Sequence, residues 1–200
     1  MRGAWLTLCL LASGGLGAGA AAAKSTPSMQ QARAVSGLQL RAMPFTYQTF
    51  NNCGPQSIAS VLGYYGVQVG QAEVARVTKA TPRGYMTAQA IGQFVAPYGL
   101  GARRFVNGRV THIRSLVALG VPVIVLQWVR PDEAVPHFRV VTGFDDTRRM
   151  VLTLDPLLGP RVLIPYRTFE ALWTVNRAEF IPVYPLRDEA RVLRALGLSP

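Results

Sequence analysis

Cys53 occupies a position where a cysteine can act as a nucleophile. It stands at the start of a predicted helix, in the run Asn52-Cys53-Gly54-Pro55, and the only other cysteine of the chain is Cys9. Backbone N–H groups and the dipole at a helix N-terminus favour negative charge, so a thiol there ionises more readily than one in an apolar core. The position therefore predicts a reactive thiolate, whereas the simpler alternative is an inert core cysteine.

His137 and Asp155 form a second feature with chemical meaning. Short apolar runs at 138–144 and 150–154 are typical of β-strands, and a hairpin centred on Asp146 would pair His137 with Asp155. Directly opposed residues of an antiparallel pair have Cβ atoms roughly 4.5–5.5 Å apart, close enough for a carboxylate to hold an imidazole by one ring nitrogen. A register shifted by two residues still leaves the two groups near each other, so the sequence predicts an oriented imidazole.

A thiol and an oriented imidazole are the groups that nucleophilic catalysis requires. The His137 imidazole would take the proton of the thiol and later give it to the leaving group, while Asp155 would fix the tautomer of the ring. Gln48, five residues before Cys53, adds a neutral amide that can donate to a developing oxyanion together with the Cys53 backbone N–H. Taken alone, each residue also has an ordinary explanation, such as an inert cysteine, a structural histidine or a turn at Asp155-Pro156.

The first 23 residues have the organisation of a secretory signal peptide. Arg2 supplies the positive charge, an apolar segment runs from Trp5 to Leu11, and 18–23 offers several Ala-x-Ala cleavage choices. An uncleaved anchor is the alternative, but the glycines at 14–19 weaken a spanning helix, and no later segment approaches the roughly 20 apolar residues of a span. We therefore expect an exported bacterial protein, periplasmic or secreted, without stable membrane insertion once the signal is removed.

The composition limits the remaining function classes. The part after the signal is long enough for one domain, and its single cysteine cannot form an internal disulfide. The chain has 21 Lys and Arg against 10 Asp and Glu. These basic residues are scattered without a nucleic-acid-binding motif, which indicates a solvated basic surface or an attraction to acidic polymers. With two histidines in all, a zinc site is not expected, and we predict neither a metal nor an organic cofactor.

Hydrophobic periodicity predicts a helical front half and a strand-rich back half. From Pro55 to Gly66, apolar residues recur at intervals of three and four, which predicts a helix whose start Asn51 or Asn52 can cap. Later segments have helical or strand patterns in this order: helices at 71–78, 87–98 and 113–119, strands at 121–129, 138–144 and 150–154, a helix at 166–173, and a strand at 180–184.

These patterns also give the domain limits. We assign a flexible lead to 24–40, where small polar residues show no periodicity, one domain to 41–186, and a C-terminal helix to 187–200. Helices followed by antiparallel strands predict an α+β fold, in which the helix that begins near Cys53 packs on the sheet.

Six segments of the chain carry a resemblance to a known family. They are Tyr47-Gln48, Asn52 to Pro55, Leu62 to Gly66, Gly84 to Gly99, His137 to Asp145, and Leu154 to Pro156. With these segments the chain resembles the cysteine peptidases that process bacteriocin leaders, which are cysteine peptidase family thirty-nine of the papain-like clan. It is more similar still to the stand-alone domains related to them. The resemblance covers about 44–184.

The resemblance implies a papain-like cysteine peptidase fold and a role for each matched residue. It implies Cys53 as nucleophile, His137 as general base, Asp155 as orienting carboxylate and Gln48 as oxyanion donor. It also implies a peptide or protein substrate, cut after small residues and particularly after paired glycines. The processing peptidases are usually fused to membrane spans and an ATPase, whereas this sequence contains no P-loop motif, so we expect a free-standing exported domain.

We therefore predict an exported thiol hydrolase that cuts peptide bonds, and two other function classes stay open. The same residues could serve a thiol acyltransferase or amidase, because an acyl-enzyme can be resolved by an amine as well as by water. The cleft could also bind peptides without cutting them. In that case Cys53 would fail to react with a thiol-directed electrophile near neutral pH.

Overall fold

The computed structural model describes residues 36–200 of the chain. The predicted signal peptide at 1–23 and the lead as far as residue 35 therefore lie outside the described residues. Within the described part, six α-helices and seven β-strands follow one another, together with two short 3₁₀ turns.

Four helices precede the main strands, and the first of them presents Cys53. They are α1 (Cys53–Tyr64), α2 (Gln71–Thr78), α3 (Gln89–Val95) and α4 (Val110–Ala118). In α1, Ile58, Val61 and Leu62 have no exposed surface. Their spacing of three and four residues puts them on one face of the helix, and that face packs on the sheet. Two further helices, α5 (Tyr166–Leu172) and α6 (Glu189–Ala195), lie in the back half.

The strands form one antiparallel sheet beneath these helices. They are β1 (Gly37–Gln39), β2 (Leu100–Ala102), β3 (Val123–Arg130), β4 (Glu133–Asp145), β5 (Met150–Asp155), β6 (Gly159–Pro165) and β7 (Phe180–Pro185). Their order is β2-β7-β3-β4-β5-β6, with β1 paired to β4 off that path. Because α1 packs against β4, the first residue of α1 is brought to the strand that carries His137. The predicted α+β fold, with a helical front half packed on an antiparallel sheet, is confirmed.

The predicted register of the β4–β5 hairpin is wrong. A turn centred on Asp146 would have placed His137 opposite Asp155, whereas the strands pair Asp145 with Met150 and Val140 with Leu154. Two features cause the difference. The turn spans 146–149, and a one-residue bulge interrupts the ladder between 141 and 143. One pair beyond Val140 and Leu154, this register places Asp155 opposite Arg139, two residues after His137.

Three strands were not predicted. β1 falls within 24–40, the segment assigned to a flexible lead, and it is held by β4 rather than by any pattern of its own. β2 has only three residues and pairs with β7. β6 begins with Gly159-Pro160 and ends with Pro165, and these residues fit the edge position that it occupies in the sheet. Short strands and edge strands carry little periodic signal, so tertiary pairing decides them.

The C-terminal segment ends in α6, which is shorter than the helix assigned to 187–200. Val192 and Leu193 are buried against the rest of the domain. Across residues 36–200, none of the helices has the length and apolar character that crossing a bilayer requires.

Candidate active site

Cys53 is the first residue of α1, and its thiol is free and buried, with 8% of the residue exposed. The next residue, Gly54, lies in close contact with Met86, since a Cβ at Gly54 would be 2.3 Å from the Met86 methyl carbon. Burial raises the pKa of the Cys53 thiol. Hydrogen bonding and charge from His137 outweigh this effect, together with the backbone N–H groups of Phe138 and Gly54, so the pKa is lowered overall.

His137 lies on β4 between Cys53 and Asp155. Its Nε2 is 2.8 Å from Asp155 Oδ1, at the end of β5, and both side chains are almost fully buried. The Cys53 thiol is near enough to the imidazole for each group to shift the pKa of the other. Because Nε2 is engaged by Asp155, Nδ1 is the ring nitrogen left to face the thiol. The structure thus brings three of the four predicted residues into one group, in which His137 is hydrogen-bonded to Asp155 and lies next to the thiol.

The pKa values of this group favour a charged pair. Burial raises the pKa of Asp155, but the hydrogen bond and charge of His137, with smaller contributions from Arg139 and the Leu157 N–H, bring it to about 2. Burial lowers the pKa of His137, whereas Asp155 and Cys53 raise it, and the net direction is upward. A lowered thiol pKa next to a raised imidazole pKa favours a thiolate and an imidazolium at neutral pH.

Gln48 is connected to the group through its backbone. Its N–H donates to the carbonyl of Pro156 at 2.9 Å, which holds the segment before α1 against the residue that follows Asp155. Its side-chain Oε1 is buried and has no hydrogen-bond partner among residues 36–200. Its role as oxyanion donor stays a prediction, as do the roles of the other three residues.

The loop that leads into α1 is held by a buried lysine. Lys79 Nζ donates to Asn52 Oδ1 at 2.9 Å, to the Pro82 carbonyl at 2.8 Å and to the Asn51 carbonyl at 3.3 Å. Asn52 is the N-cap residue, but its side chain makes no capping bond, and its Nδ2 donates to Thr49 Oγ1. The predicted side-chain cap is therefore wrong, because the Asn52 amide bonds to Lys79 and Thr49 instead.

Arg139 is a residue of the site that sequence reasoning missed. Its Nε donates to Asp155 Oδ2 at 2.7 Å, and only 2% of the residue is exposed. The available signal was its position two residues after His137, which places both side chains on the same face of a strand. An arginine inside an otherwise apolar run could have been identified as a buried partner for a carboxylate.

A cavity of about 470 Å³ opens beside Cys53. Its walls are mainly apolar and include Met86, Leu126, Val135 and Phe138. The lining also includes an ion pair between Arg104 and the fully buried Glu179, and Glu179 accepts a hydrogen bond from Asn176 at 2.9 Å. Cys53 is itself one of the lining residues. Among residues 36–200, no cluster of His, Cys, Asp and Glu side chains is arranged to hold a metal ion.

Comparisons with known proteins agree with this geometry. The model of the Peptidase_C39 like family matches residues 36–179. A search of curated proteins finds no significant match.

Solved structures show the same fold at low identity. A C39-like peptidase from Bacillus anthracis superposes with a TM-score of 0.62 at 18% identity, over 74% of this chain and 96% of that one. The peptidase domain of Streptococcus ComA, a bifunctional ABC transporter, gives 0.57 at 21% identity, over 72% and 98%. A double glycine motif protease from an AMS/PCAT transporter, in complex with its leader peptide, gives 0.53 at 23% identity, over 72% and 91%. The predicted papain-like form of the α+β fold is confirmed.

Proposed function

The chain belongs to the Peptidase_C39 like family, and from that premise we propose that it is a cysteine peptidase with Cys53 as its nucleophile. The observation that carries the proposal is the group formed by Cys53, His137 and Asp155 beside a cavity, in which Asp155 is hydrogen-bonded to His137 at 2.8 Å and His137 lowers the pKa of the thiol. A lone buried cysteine needs no such partners. The lowered pKa of this thiol is what a thiol nucleophile requires.

The proposed reaction runs through an acyl-enzyme. The Cys53 thiolate attacks the carbonyl carbon of the scissile peptide bond and forms a tetrahedral oxyanion. The His137 imidazolium gives its proton to the leaving nitrogen as the C–N bond breaks, which leaves a thioester on Cys53. The neutral imidazole then takes a proton from water, whose hydroxide attacks the thioester, and the acid product leaves while the thiolate and imidazolium are restored. Asp155 orients the ring in both halves.

We propose Gln48 as the side-chain donor to the oxyanion, together with the Cys53 backbone N–H. Two observations support this. Gln48 is held next to the end of β5 by its backbone bond to Pro156, and its amide oxygen has no partner among residues 36–200. Because this oxygen accepts no hydrogen bond, it does not hold the Gln48 side chain to another group. Removal of such a donor typically costs about 10²–10³ in turnover.

The proposed substrate is an extended peptide with small residues before the scissile bond, such as paired glycines. The family relation to double glycine leader peptidases supports this choice. The cavity beside Cys53 can receive a peptide, and its apolar walls suit apolar side chains further from the cut. We also propose export to the periplasm or medium, which rests on the signal-like sequence at 1–23.

A mixed peptide library digested with the mature protein tests the proposed function. We expect cleavage by the wild type, none by Cys53→Ala and almost none by His137→Ala, with His112→Ala as the matched control for loss of a histidine. In the absence of amines, the masses of the two fragments should sum to the mass of the peptide plus one water. If amine adducts were the main products, the protein would be an acyltransferase and not a hydrolase. If the folded wild type bound peptides without cutting them, it would be a binding module. Preference for bulky residues before the cut would refute the substrate but not the nucleophile.

A further inference from the structure

Arg139 is a buried cation directly behind Asp155, on the side of the carboxylate that faces away from His137. We propose that Arg139 is a positioning residue, which fixes the Asp155 carboxylate so that Oδ1 is held toward His137. It does not line the cavity beside Cys53, so it acts through Asp155 and not on the substrate. The inference rests on the proposed function of the Cys53–His137–Asp155 group.

The hydrogen bonds to Asp155 divide between its two oxygens. Oδ1 lies 2.8 Å from His137 Nε2 and accepts the backbone N–H groups of Leu157 at 2.8 Å and Leu158 at 3.3 Å. The partner of Oδ2 is Arg139 Nε at 2.7 Å. Asp155 has no exposed surface. Without the guanidinium, Oδ2 would be a buried and unpaired carboxylate oxygen, and one restraint on rotation of the group would be lost.

The guanidinium is in turn anchored to β3. Arg139 Nη1 donates to the Trp128 carbonyl at 3.1 Å and to Gln127 Oε1 at 3.3 Å, and Nη2 donates to the Val129 carbonyl at 3.1 Å. Gln127 is also fully buried, and its amide donates to the Phe169 carbonyl of α5 at 2.8 Å. The Asp155 carboxylate is thus tied to two neighbouring elements. Only a planar group with several fixed donors can serve Asp155 and β3 at the same time, so lysine is not an equivalent residue here.

The ionisable groups around Asp155 determine how the loss of Arg139 should change the pH dependence of the site. The ionisable groups that face the carboxylate are His137 from β4 and Arg139 from the same strand, with the Cys53 thiol of α1 beyond the imidazole. The backbone N–H groups of 157–158 that contact Asp155 are neutral, and so are the β3 groups that contact Arg139. A cation next to Asp155 keeps the carboxylate ionised and also opposes the positive charge of the His137 imidazolium.

The test measures the alkylation rate of Cys53 by iodoacetamide from pH 3 to pH 10. The rate rises once as the thiolate–imidazolium pair forms and again as the imidazolium loses its proton. In Arg139→Met both rises should move to higher pH, because a positive charge next to the Asp155–His137 pair is lost. In Asp155→Asn the second rise should move to lower pH. The control Arg148→Met, an exposed charge in the turn of the same hairpin, should leave both rises in place.

A purely structural role for Arg139 would scale the rate at every pH without moving either rise, and that result would overturn the inference. A second rise that moves down, as in Asp155→Asn, would overturn it as well. Arg139→Lys covers the case in which Arg139→Met fails to fold. This variant keeps a cation but cannot hold the carboxylate and β3 together, so kcat on a peptide should fall by about tenfold to a hundredfold at unchanged KM. Wild-type kcat in Arg139→Lys would contradict the inference.

Alkylation needs no peptide turnover. If the wild type cuts no peptide, the proposed function fails, whereas the two pH rises still decide the role of Arg139.

Discussion

Replacement of Asp155 by Asn should make the stability of the protein less dependent on acid pH. The carboxyl pKa is brought from 3.8 to about 2 in the folded chain. A difference of nearly two units corresponds to about 2.5 kcal/mol of stability. Because the folded pKa is the lower one, this contribution is complete above about pH 4 to 5 and is lost as the pH falls toward 2.

His137 sets the other side of the stable pH range. Its folded pKa is raised, so its contribution is present below the unfolded value of about 6.5 and is lost as the pH rises through the folded value. Both shifts arise largely from the same ion pair, and the two contributions are therefore not added. The pair should stabilise the fold most between about pH 4.5 and pH 6.5.

Asp155→Asn also leaves Arg139 buried without its counter-charge, a change that typically costs about 3–5 kcal/mol near neutral pH. We would measure urea unfolding by tryptophan fluorescence at fixed pH values from 2 to 7 for both proteins. The difference in unfolding free energy should be largest near pH 5 to 6 and should shrink by about 2 kcal/mol by pH 2, where the folded carboxyl is half protonated. A difference that stays constant over this range would refute the assigned charge state of Asp155.

Two further changes test the site and the sheet. Gln48→Ala should lower kcat by about 10²–10³ with a smaller change in KM, because the amide is proposed to contact the oxyanion and not the ground state; a rise in KM alone would make Gln48 a substrate contact. Gly143→Ala should destabilise the fold by about 1–3 kcal/mol, since its Cβ would lie 2.6 Å from the Leu38 carbonyl oxygen of β1. Gly70→Ala, where a Cβ meets nothing within 4 Å, is the control, and equal urea midpoints for the two variants would contradict the β1–β4 contact.

The start of α1 was predictable from the sequence because its signals are local. Pro55 in the first turn and apolar residues at helical spacing both lie within a few residues of Cys53. The side-chain cap was predicted incorrectly, because the Asn52 amide bonds to Lys79, 27 positions away. A partner so distant in the sequence produces no recognisable pattern in the residues around the start of the helix.

The hairpin shows where a local pattern fails. The alternation of apolar residues predicted both strands, but the register depended on a bulge next to Gly143, where the backbone of β1 approaches closely. His137 and Asp155 still meet, since a shift of two residues brings Asp155 level with Arg139, on the same strand face as His137. Arg139 itself was missed because its partners lie 10 to 16 positions away. A charged residue inside an apolar strand cannot be assigned a role until those partners are known.

Covalent labelling with an electrophilic peptide, followed by mass mapping, tests the central claim most directly. A peptide that ends in small residues and carries a thiol-reactive group should form one adduct per folded chain at neutral pH, located on Cys53. Labelling should be absent in Cys53→Ala and much slower in His137→Ala. An excess of a peptide that the protein cleaves, added as competitor, should prevent it. If the folded wild type takes up no label while the urea-unfolded chain does, Cys53 is an inert buried thiol, and the proposed peptidase mechanism is wrong.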